Sequence, residues 1–292
     1  MLEDFAEKRL ARMNAMGVNV QVHSLTTPGA QVFDSATAIR FARLSNEAGA
    51  RAIAAHPDRF QCFAALPTPA PAAQSVAELK RCVEELGFKG WLVNGRSLDR
   101  HLDHPDFFPI LEAAAKLRVP IYLHPQLPAK SVRDAYYSDE RFGGAVAESM
   151  LADPGFGWHV EAGIQAVRLI LSGLFDRLPA LQIILGHWGE TVVPSMDRIE
   201  IAARARPETL ARKNPDYFRS NFHVTPSGKF TGGLLQQAIE LMGVDRIMFS
   251  VDNPFVPLPP GGARRFIAEA PLTEAEKAQI AHGNWERLTK RR

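Results

Sequence analysis

Seven short apolar runs recur along the chain, each flanked closely by polar residues or by Gly and Pro. The pattern predicts buried β-strands at residues 18–25, 60–66, 88–94, 119–124, 181–187, 218–225 and 246–252. Three of these runs close on a single polar side chain, namely His124, His187 and Asp252. Apolar runs that end in this way are typical of a parallel sheet whose functional residues lie at the C-terminal ends of the strands.

Segments with the helical spacing of apolar residues lie between the runs and cover residues 3–16, 34–55, 71–86, 105–117, 159–178, 190–205, 231–242 and 273–289. The alternation predicts a single α/β domain over residues 1–292, a TIM-type (β/α)8 barrel. Such a barrel needs eight strands, whereas the pattern supplies seven and begins with a helix, so we expect the first strand to be absent from this chain. Residues 125–155 are polar, interrupted by Pro and Gly and too long for a plain connection, which makes them a candidate lid or pocket wall.

Composition narrows the classes of function. The formal net charge is +2, with 46% hydrophobic and 23% charged residues, so we expect neither a nucleic-acid partner nor a membrane surface. No apolar stretch has the length of a signal peptide or a membrane span. The two cysteines, Cys62 and Cys82, form no CxxC motif, which indicates a reducing compartment and a cytoplasmic location.

The residue types at the strand ends point to chemistry. His and Asp are side chains that bind divalent metals and transfer protons. A metal-assisted enzyme is therefore the first hypothesis, although a histidine at a strand end is also often a structural residue with its hydrogen bonds satisfied. No GxSxG, GxGxxG or P-loop pattern is present, so a nucleophile elbow and a phosphate cradle have no support.

Several longer segments carry a family resemblance. They are HPDRFQCFAALP (56–67), ELGFKGWLVNG (85–95), IYLHP (121–125), RLILSGLFDRLPALQIILGHWGE (168–190), NFHVTPSG (221–228) and RIMFSVDNPF (246–255). Together they resemble the metal-dependent decarboxylase branch of the amidohydrolase superfamily, which includes the aminocarboxymuconate-semialdehyde decarboxylases. The resemblance is strongest to the γ-resorcylate (2,6-dihydroxybenzoate) decarboxylases.

The resemblance implies roles for the matched residues. His124 and Asp252 would be metal ligands, and Asp252 would also carry a proton to the ring carbon of the substrate. His187 would act beside the metal as a catalytic or substrate-binding base, and Glu190 would orient its neighbours. The other implied site residues are Arg198, which could hold a carboxylate or phenolate bidentately, Glu161, which supports the pocket, and the substrate-binding Asn94, Phe255 and His223. For His223 a place in the core remains an equal alternative.

One family motif is missing from the sequence. The family's first strand carries Glu-x-His or His-x-His, which supplies two further ligands, and no such motif precedes residue 20. His23 lies on the second strand and is expected to be a pocket or core histidine. We expect either a start at an internal methionine of a longer protein, which we favour, or a degenerate member of the family.

The combined hypothesis is a metal-dependent, nonoxidative decarboxylase of a hydroxylated aromatic acid. It implies one divalent metal ion, with Mn or Zn favoured over Mg because histidine contributes to the site, and no organic cofactor. The expected partners are a small aromatic acid and further copies of the chain in a homodimer or homotetramer. The alternatives are a metal-dependent hydrolase or hydratase of the same superfamily and a metal-free scaffold that keeps only the fold.

Overall fold

A parallel sheet forms the centre of the molecule in the computed structural model, which describes residues 4–206, 208–257 and 259–290. Its strands are β1 (Gln21–His23), β2 (Phe60–Ala64), β3 (Gly90–Asn94), β4 (Ile121–His124), β5 (Ile183–Leu185) and β6 (Phe222–Val224). They lie side by side in chain order, and every neighbouring pair is parallel. The helices that connect them make this an α/β fold, as the alternating pattern predicts.

The connecting helices follow the predicted order. They are α1 (Glu7–Met16), α2 (Ser35–Ala55), α3 (Ala72–Glu84), α4 (Phe108–Leu117), α5 (Lys130–Tyr136), α6 (Ala145–Met150), α7 (Gly157–Leu171), α8 (Leu174–Arg177), the single turn α9 (His187–Glu190), α10 (Met196–Arg204), α11 (Asn214–Asn221), α12 (Gly232–Met242), α13 (Gly262–Ala268), α14 (Glu274–Ala278) and α15 (Asn284–Thr289). Short 3-10 or π turns extend several of them, at Pro105–Phe107, Glu140–Phe142, Leu151–Gly155, Val193–Ser195, Val244–Arg246 and Gln279–Gly283.

The strands β1–β6 are all shorter than the predicted runs, and the run at 246–252, predicted as the seventh strand, is not one of the six strands of the sheet. Residues 218–221 belong to helix α11, which begins with Pro215 in its first turn and leaves only Phe222–Val224 as strand. The run at 246–252 meets β6 at a single parallel bridge between Val224 and Ile247. The backbone N–H of Met248 donates to the carbonyl of Val224, whereas that of the next residue, Phe249, donates to the carbonyl of Ile280 outside the sheet.

Successive side chains of each strand alternate between two buried surfaces. The outer surface packs against the helices in the main core, where Trp91, Ile121 and Phe222 meet residues such as Leu79 and Leu169. The inner face of the sheet carries a smaller cluster that includes Phe63, Leu92, Tyr122, Ile184 and Met248.

The C-terminal helix contributes to this inner face. Trp285 of α15 packs edge-on against Phe63, with ring centroids 5.6 Å apart, and its indole N–H donates to Gln61 at 2.8 Å. The interior is therefore packed with side chains rather than open.

The segment predicted as irregular is built from short helical pieces. Helices α5 and α6 and the turns at Glu140–Phe142 and Leu151–Gly155 occupy it, so the expectation of an irregular stretch is corrected in detail. Pro154 lies in its last turn, and Tyr136 and Val146 are 74% and 78% exposed. Among the described residues, no helix combines the length and the apolar character needed to cross a membrane.

Candidate active site

The polar strand ends meet at one edge of the sheet. Asn94 and His124 are direct register partners at the ends of β3 and β4. His187 follows β5 by two residues, and Asp252 ends the run beside β6. Because Leu92 and Tyr122 lie on the inner face, Asn94 and His124, two residues further on, share that face. The strands thus deliver these side chains to one end of the interior.

A left-handed turn shapes the site after β5. The φ angles of His187, Trp188, Gly189, Glu190 and Thr191 are 48°, 62°, 89°, 51° and 69°. Only one of these residues is glycine, and each L-residue in this region costs roughly 1–2 kcal/mol. Such a concentration of strained backbone requires strong compensating contacts. The turn brings the carboxylate of Glu190 into contact with the ring of His187.

Glu190 is the buried anion of the site. Its side chain is 0% exposed, and its two carboxylate oxygens lie 2.7 Å from Nδ1 of His159 and 2.7 Å from Nδ1 of His187. Burial alone would raise the pKa of Glu190, but the two histidines outweigh it and lower the pKa to about 2. Glu190 is therefore a carboxylate acceptor at neutral pH.

Hydrogen bonds fix which nitrogens carry protons. The indole N–H of Trp158 contacts Nε2 of His159 at 3.1 Å, and an indole can only donate. His159 must therefore accept at Nε2 and carry its proton on Nδ1, facing Glu190. Nδ1 of His124 lies 2.8 Å from the carbonyl oxygen of Pro125, an acceptor only, so the neutral His124 ring has a free lone pair on Nε2.

His187 and Asp252 face each other across the site. With the His187 proton held on Nδ1 by Glu190, its Nε2 presents a lone pair, and this atom lies 4.0 Å from Oδ2 of Asp252. Burial raises the pKa of Asp252, and the nearby His187 partly offsets this increase. Burial likewise lowers the pKa of His124 to about 4, so His124 is neutral and able to bind a cation at neutral pH.

The hydroxyl groups of Tyr122, Thr225, Ser227 and Ser250 form a hydrogen-bonded network in the interior. Tyr122 contacts Thr225 at 3.3 Å and Ser227 at 3.1 Å, and Ser227 contacts Ser250 at 3.3 Å. Burial raises the pKa of Tyr122 to about 12, so its hydroxyl stays protonated. A side chain at Gly186 would meet the oxygens of Tyr122, Ser227 and Glu190, so only glycine fits between this network and the buried carboxylate.

The donor set fits a divalent transition metal. Nε2 of His124, Nε2 of His187 and the carboxylate of Asp252 are nitrogen and oxygen donors of the kind that Mn²⁺ and Zn²⁺ accept. Among the described residues, the ligand atoms that lie within 4.8 Å of one another are those of His159, His187 and Glu190. The second nitrogens of His124 and His187 are hydrogen-bonded to acceptors, which is the usual arrangement behind metal-binding imidazoles. Such an ion would supply positive charge for binding a carboxylate or phenolate.

Comparison with known proteins places this arrangement in context. The sequence profile of the amidohydrolase family matches residues 2–289. The chain belongs to the amidohydrolase family. It is 38% identical over 300 residues to γ-resorcylate decarboxylase of a Polaromonas species, an alignment that covers 99% of this chain and 88% of that relative.

Solved structures of amidohydrolase relatives have the same fold. A dihydroxybenzoic acid decarboxylase from Polaromonas, with bound manganese and the inhibitor 2-nitroresorcinol, superposes with a TM-score of 0.88 at 37% identity, covering 98% of this chain and 86% of its own. A 5-carboxyvanillate decarboxylase from Sphingomonas paucimobilis superposes with a TM-score of 0.86 at 35% identity, covering 97% and 82%. The predicted resemblance to this branch of the amidohydrolases is confirmed.

Asn94, expected at the substrate rim, lies beside the metal-binding candidates. It is 2% exposed, its Nδ2 contacts the carbonyl of Leu25 at 3.4 Å, and its Oδ1 has no hydrogen-bond partner among the described residues. Gln31 is 7% exposed nearby, and its Nε2 has no partner in the described part of the chain either. Oε1 of Gln31 and Nδ2 of Asn94 both lie close to Gly29, so the two amides share one part of the interior, and Asn94 is the register partner of His124.

Glu161 has another partner than the strand-end residues. Its carboxylate accepts from Nε of Arg96 at 3.2 Å, and Arg96 also donates to Asp99 and to the carbonyl of Leu127. Burial raises the pKa of Glu161, and Arg96 opposes the shift. This ion pair borders an open cleft of about 470 Å³ that neither His124, His187 nor Asp252 lines. The cleft is therefore separate from the chemistry.

Three other predicted site residues lie apart from this cluster. Arg198 is exposed on α10, and Phe255 is 60% exposed just after Asp252. His223 is buried on the inner face, where burial and then Arg246 and Arg287 lower its pKa to about 3. Those two arginines come from the start of the 246–252 run and from α15, so His223 faces a different part of the interior from Glu190.

Two residues of helix α7 complete the site beside Glu190, for which the resemblance implies an orienting role. His159 and Trp158 start helix α7, where helical spacing alone suggests packing. The ring of Trp158 lies 5.6 Å from that of His124 and 6.5 Å from that of His187, so it forms a wall shared by both. The single signal for Glu190 is its place in the HWGE segment.

Proposed function

We propose that this amidohydrolase is a metal-dependent, nonoxidative decarboxylase of a hydroxylated aromatic carboxylic acid of the dihydroxybenzoate type. The observation that carries the proposal is the facing pair of His187 Nε2 and Asp252 Oδ2, 4.0 Å apart, beside the free Nε2 of His124. The ring of Trp158 lies 5.6 Å from that of His124 and 6.5 Å from that of His187, so the two histidines share one wall. The decarboxylase relatives, one of them with bound manganese, support the same chemistry.

The reaction requires one proton and releases one molecule of CO2. Addition of a proton to the ring carbon that bears the carboxylate interrupts aromaticity; the carbon–carbon bond then breaks, its electron pair restores the ring, and CO2 leaves. Asp252 is the proposed proton carrier, since its carboxylate faces Nε2 of His187 at 4.0 Å and a positioned carboxyl group can take up and deliver a proton. His187 is the proposed base beside it. A metal bound by His124 and Asp252 would supply charge to hold the carboxylate and the adjacent phenolate.

Some of the remaining site residues receive roles under the same proposal. Asn94 would contact a polar ring substituent, because its Oδ1 is buried and free for a ligand hydroxyl to donate to. Phe255 is proposed as a pocket wall, since its backbone N–H donates to the carbonyl of Asp252, whereas Arg198 and His223 lie apart from the cluster and take no part in this proposal. Glu161 would act at a distance from the chemistry, by holding Arg96 and through it the backbone at Leu127. No organic cofactor is needed for the bond changes described.

The wider architecture is also a proposal. We infer that β1–β6 and the run at 246–252 correspond to strands two to eight of a TIM-type (β/α)8 barrel in one domain. Exposed apolar side chains on the 125–156 segment, such as Tyr136 and Val146, support self-association as a homodimer or homotetramer. The two cysteines are free and buried, which fits a reducing, cytoplasmic location.

The decisive experiment is a decarboxylation assay with the purified chain and added Mn²⁺. Conversion of 2,6-dihydroxybenzoate to resorcinol and CO2 is followed by chromatography, with 5-carboxyvanillate as a second substrate. Asp252→Asn should reduce kcat by roughly a thousandfold or more, because removal of a proton carrier and metal ligand affects both functions. His282→Asn, at an exposed position, is the matched control. Wild-type protein that binds Mn²⁺ and releases no CO2, or an active Asp252→Asn variant, would contradict the proposal, and a hydrolase or hydratase would then be tested.

A further inference from the structure

The buried carboxylate of Glu190 joins two imidazoles that come from different parts of the chain. Oε2 lies 2.7 Å from Nδ1 of His159 on α7, and Oε1 lies 2.7 Å from Nδ1 of His187 after β5. The two rings are 4.4 Å apart at an angle of 66°. His159 is 4% exposed, so solvent does not replace it as a donor to Glu190.

Trp158 determines what His159 can do. Because the indole N–H only donates, Nε2 of His159 accepts and its proton lies on Nδ1. Each carboxylate oxygen of Glu190 therefore accepts one N–H, Oε2 from His159 and Oε1 from His187. This arrangement leaves His187 one stable form, with the proton on Nδ1 and the lone pair of Nε2 directed towards Asp252.

Two other roles for the cluster are less consistent with the contacts. A proton relay through His159 would end at the Trp158 N–H, which accepts no proton. A cation held by His159, His187 and Glu190, whose ligand atoms lie within 4.8 Å of one another, would have to displace two N–H protons that already bond to the carboxylate at 2.7 Å.

We propose that His159 is a positioning residue, which holds Glu190 so that His187 presents an unprotonated Nε2 to Asp252. The proposal rests on the decarboxylase function proposed above. It adds a residue of α7 to a site that is otherwise built from strand ends. His159 does not touch the reacting atoms in this assignment; it acts through Glu190.

The test replaces His159 in two ways. His159→Asn keeps an N–H donor close to the position of Nδ1, whereas His159→Leu removes it and keeps a similar volume. We expect the Leu variant to lose roughly 10–100-fold in kcat, the usual loss for a partner behind a metal-site histidine, with little change in KM. The Asn variant should retain activity within about threefold of wild type, because it restores the hydrogen bond to Glu190 that the Leu variant loses. His101→Leu, which alters a partly buried histidine outside the cluster, is the matched control.

A second readout does not depend on activity. Two-bond ¹H–¹⁵N correlation spectra of protein labelled with ¹⁵N-histidine report the tautomer of each ring, and His187→Gln identifies the His187 signals. Wild type and the Asn variant should show His187 protonated at Nδ1, and the Leu variant should show a mixture that includes the Nε2-protonated form. An unchanged His187 tautomer in a folded Leu variant, or equal loss in the Asn and Leu variants, overturns the proposal. Failure of wild type to decarboxylate any substrate overturns the function alone, because the tautomer still reports on His159.

Discussion

Nε2 of His187 lies 4.0 Å from Oδ2 of Asp252, so two hydrogen-bond acceptors face each other beyond hydrogen-bond distance. Glu190 maintains this arrangement, because it keeps the proton of the neutral His187 ring on the opposite nitrogen, Nδ1. Two acceptors at this distance attract only what can lie between them, which is a proton or a cation. Contacts outside the space between His187 and Asp252 therefore preorganise the site for the chemistry.

Glu190→Gln should disrupt this preparation although it changes few atoms. The amide has one acceptor and one donor, so its NH₂ group would oppose the Nδ1–H of either His159 or His187 and force that ring to change its tautomer or rotate. We expect kcat to fall roughly 10–100-fold and the melting temperature to fall as well. Steady-state kinetics and thermal unfolding measure both quantities.

The exposed pair of Glu286 and His282, 3.0 Å apart, provides the control for that change. Glu286→Gln should leave kcat and the melting temperature unchanged, because solvent satisfies both side chains. If Glu190→Gln behaved like this control, the account of the buried carboxylate would be wrong.

The left-handed turn predicts a strict requirement for glycine at residue 189. Gly189 has a φ of 89°, and a methyl group there would overlap the side chain of Val193. Gly189→Ala should therefore lower the free energy of unfolding by about 1–3 kcal/mol and reduce activity, since the turn carries His187 and Glu190. Gly232→Ala, where a methyl group meets nothing within 4 Å, should change stability by less than about 0.5 kcal/mol; urea unfolding compares the two.

Arg96 should control the order of the 125–156 segment. Its side chain donates to Glu161 and to the carbonyl of Leu127, and its backbone N–H donates to the Gln126 side chain. Arg96→Met removes the side-chain donors and leaves Glu161 buried without its cation, so proteases should cut within 125–156 several times faster. Arg204→Met, which removes an exposed ion pair with Glu200, should leave the cleavage rate unchanged. Equal rates for both variants would show that the ion pair does not hold the segment.

His223 should make stability depend on pH. Its pKa falls from 6.5 to about 3 on folding, because burial and the nearby arginines disfavour the charged ring. The resulting stabilisation is complete above pH 6.5 and is lost as the pH falls towards 3, since the unfolded chain binds the proton more tightly. His223→Leu should flatten the dependence by up to about 1.4 kcal/mol per pH unit between roughly pH 4 and 6. Urea titrations at several pH values test this, and an unchanged slope would contradict it.

The sequence pattern predicts the strands and their polar ends because both are local features. An apolar run needs only its own residues to mark a buried strand, and the parallel arrangement then brings His124, His187 and Asp252 to one edge. Strand ends are predicted less well: residues 218–221 are included in a predicted strand, but Pro215 lies in the first turn of a helix that continues through them. Tertiary context decides such boundaries.

The contact between His159 and Glu190 could not be predicted in the same way. The two residues are 31 positions apart, one on a helix and one in a turn whose left-handed form depends on packing. Helical spacing places His159 on a helix but does not identify the carboxylate that its ring contacts. Gly189 was the one local sign that the backbone after β5 is unusual, and it does not reveal which side chain the turn will meet.

The bond between Trp285 and Gln61 has a consequence for how the protein is made. The two residues are 224 positions apart, and Trp285 also covers Phe63 on the inner face. At roughly 5–20 residues per second, a ribosome needs on the order of tens of seconds to reach Trp285 after it has added Gln61. Throughout that interval Phe63 lacks the indole that covers it, so this part of the inner face completes its packing only after helix α15 has been synthesised.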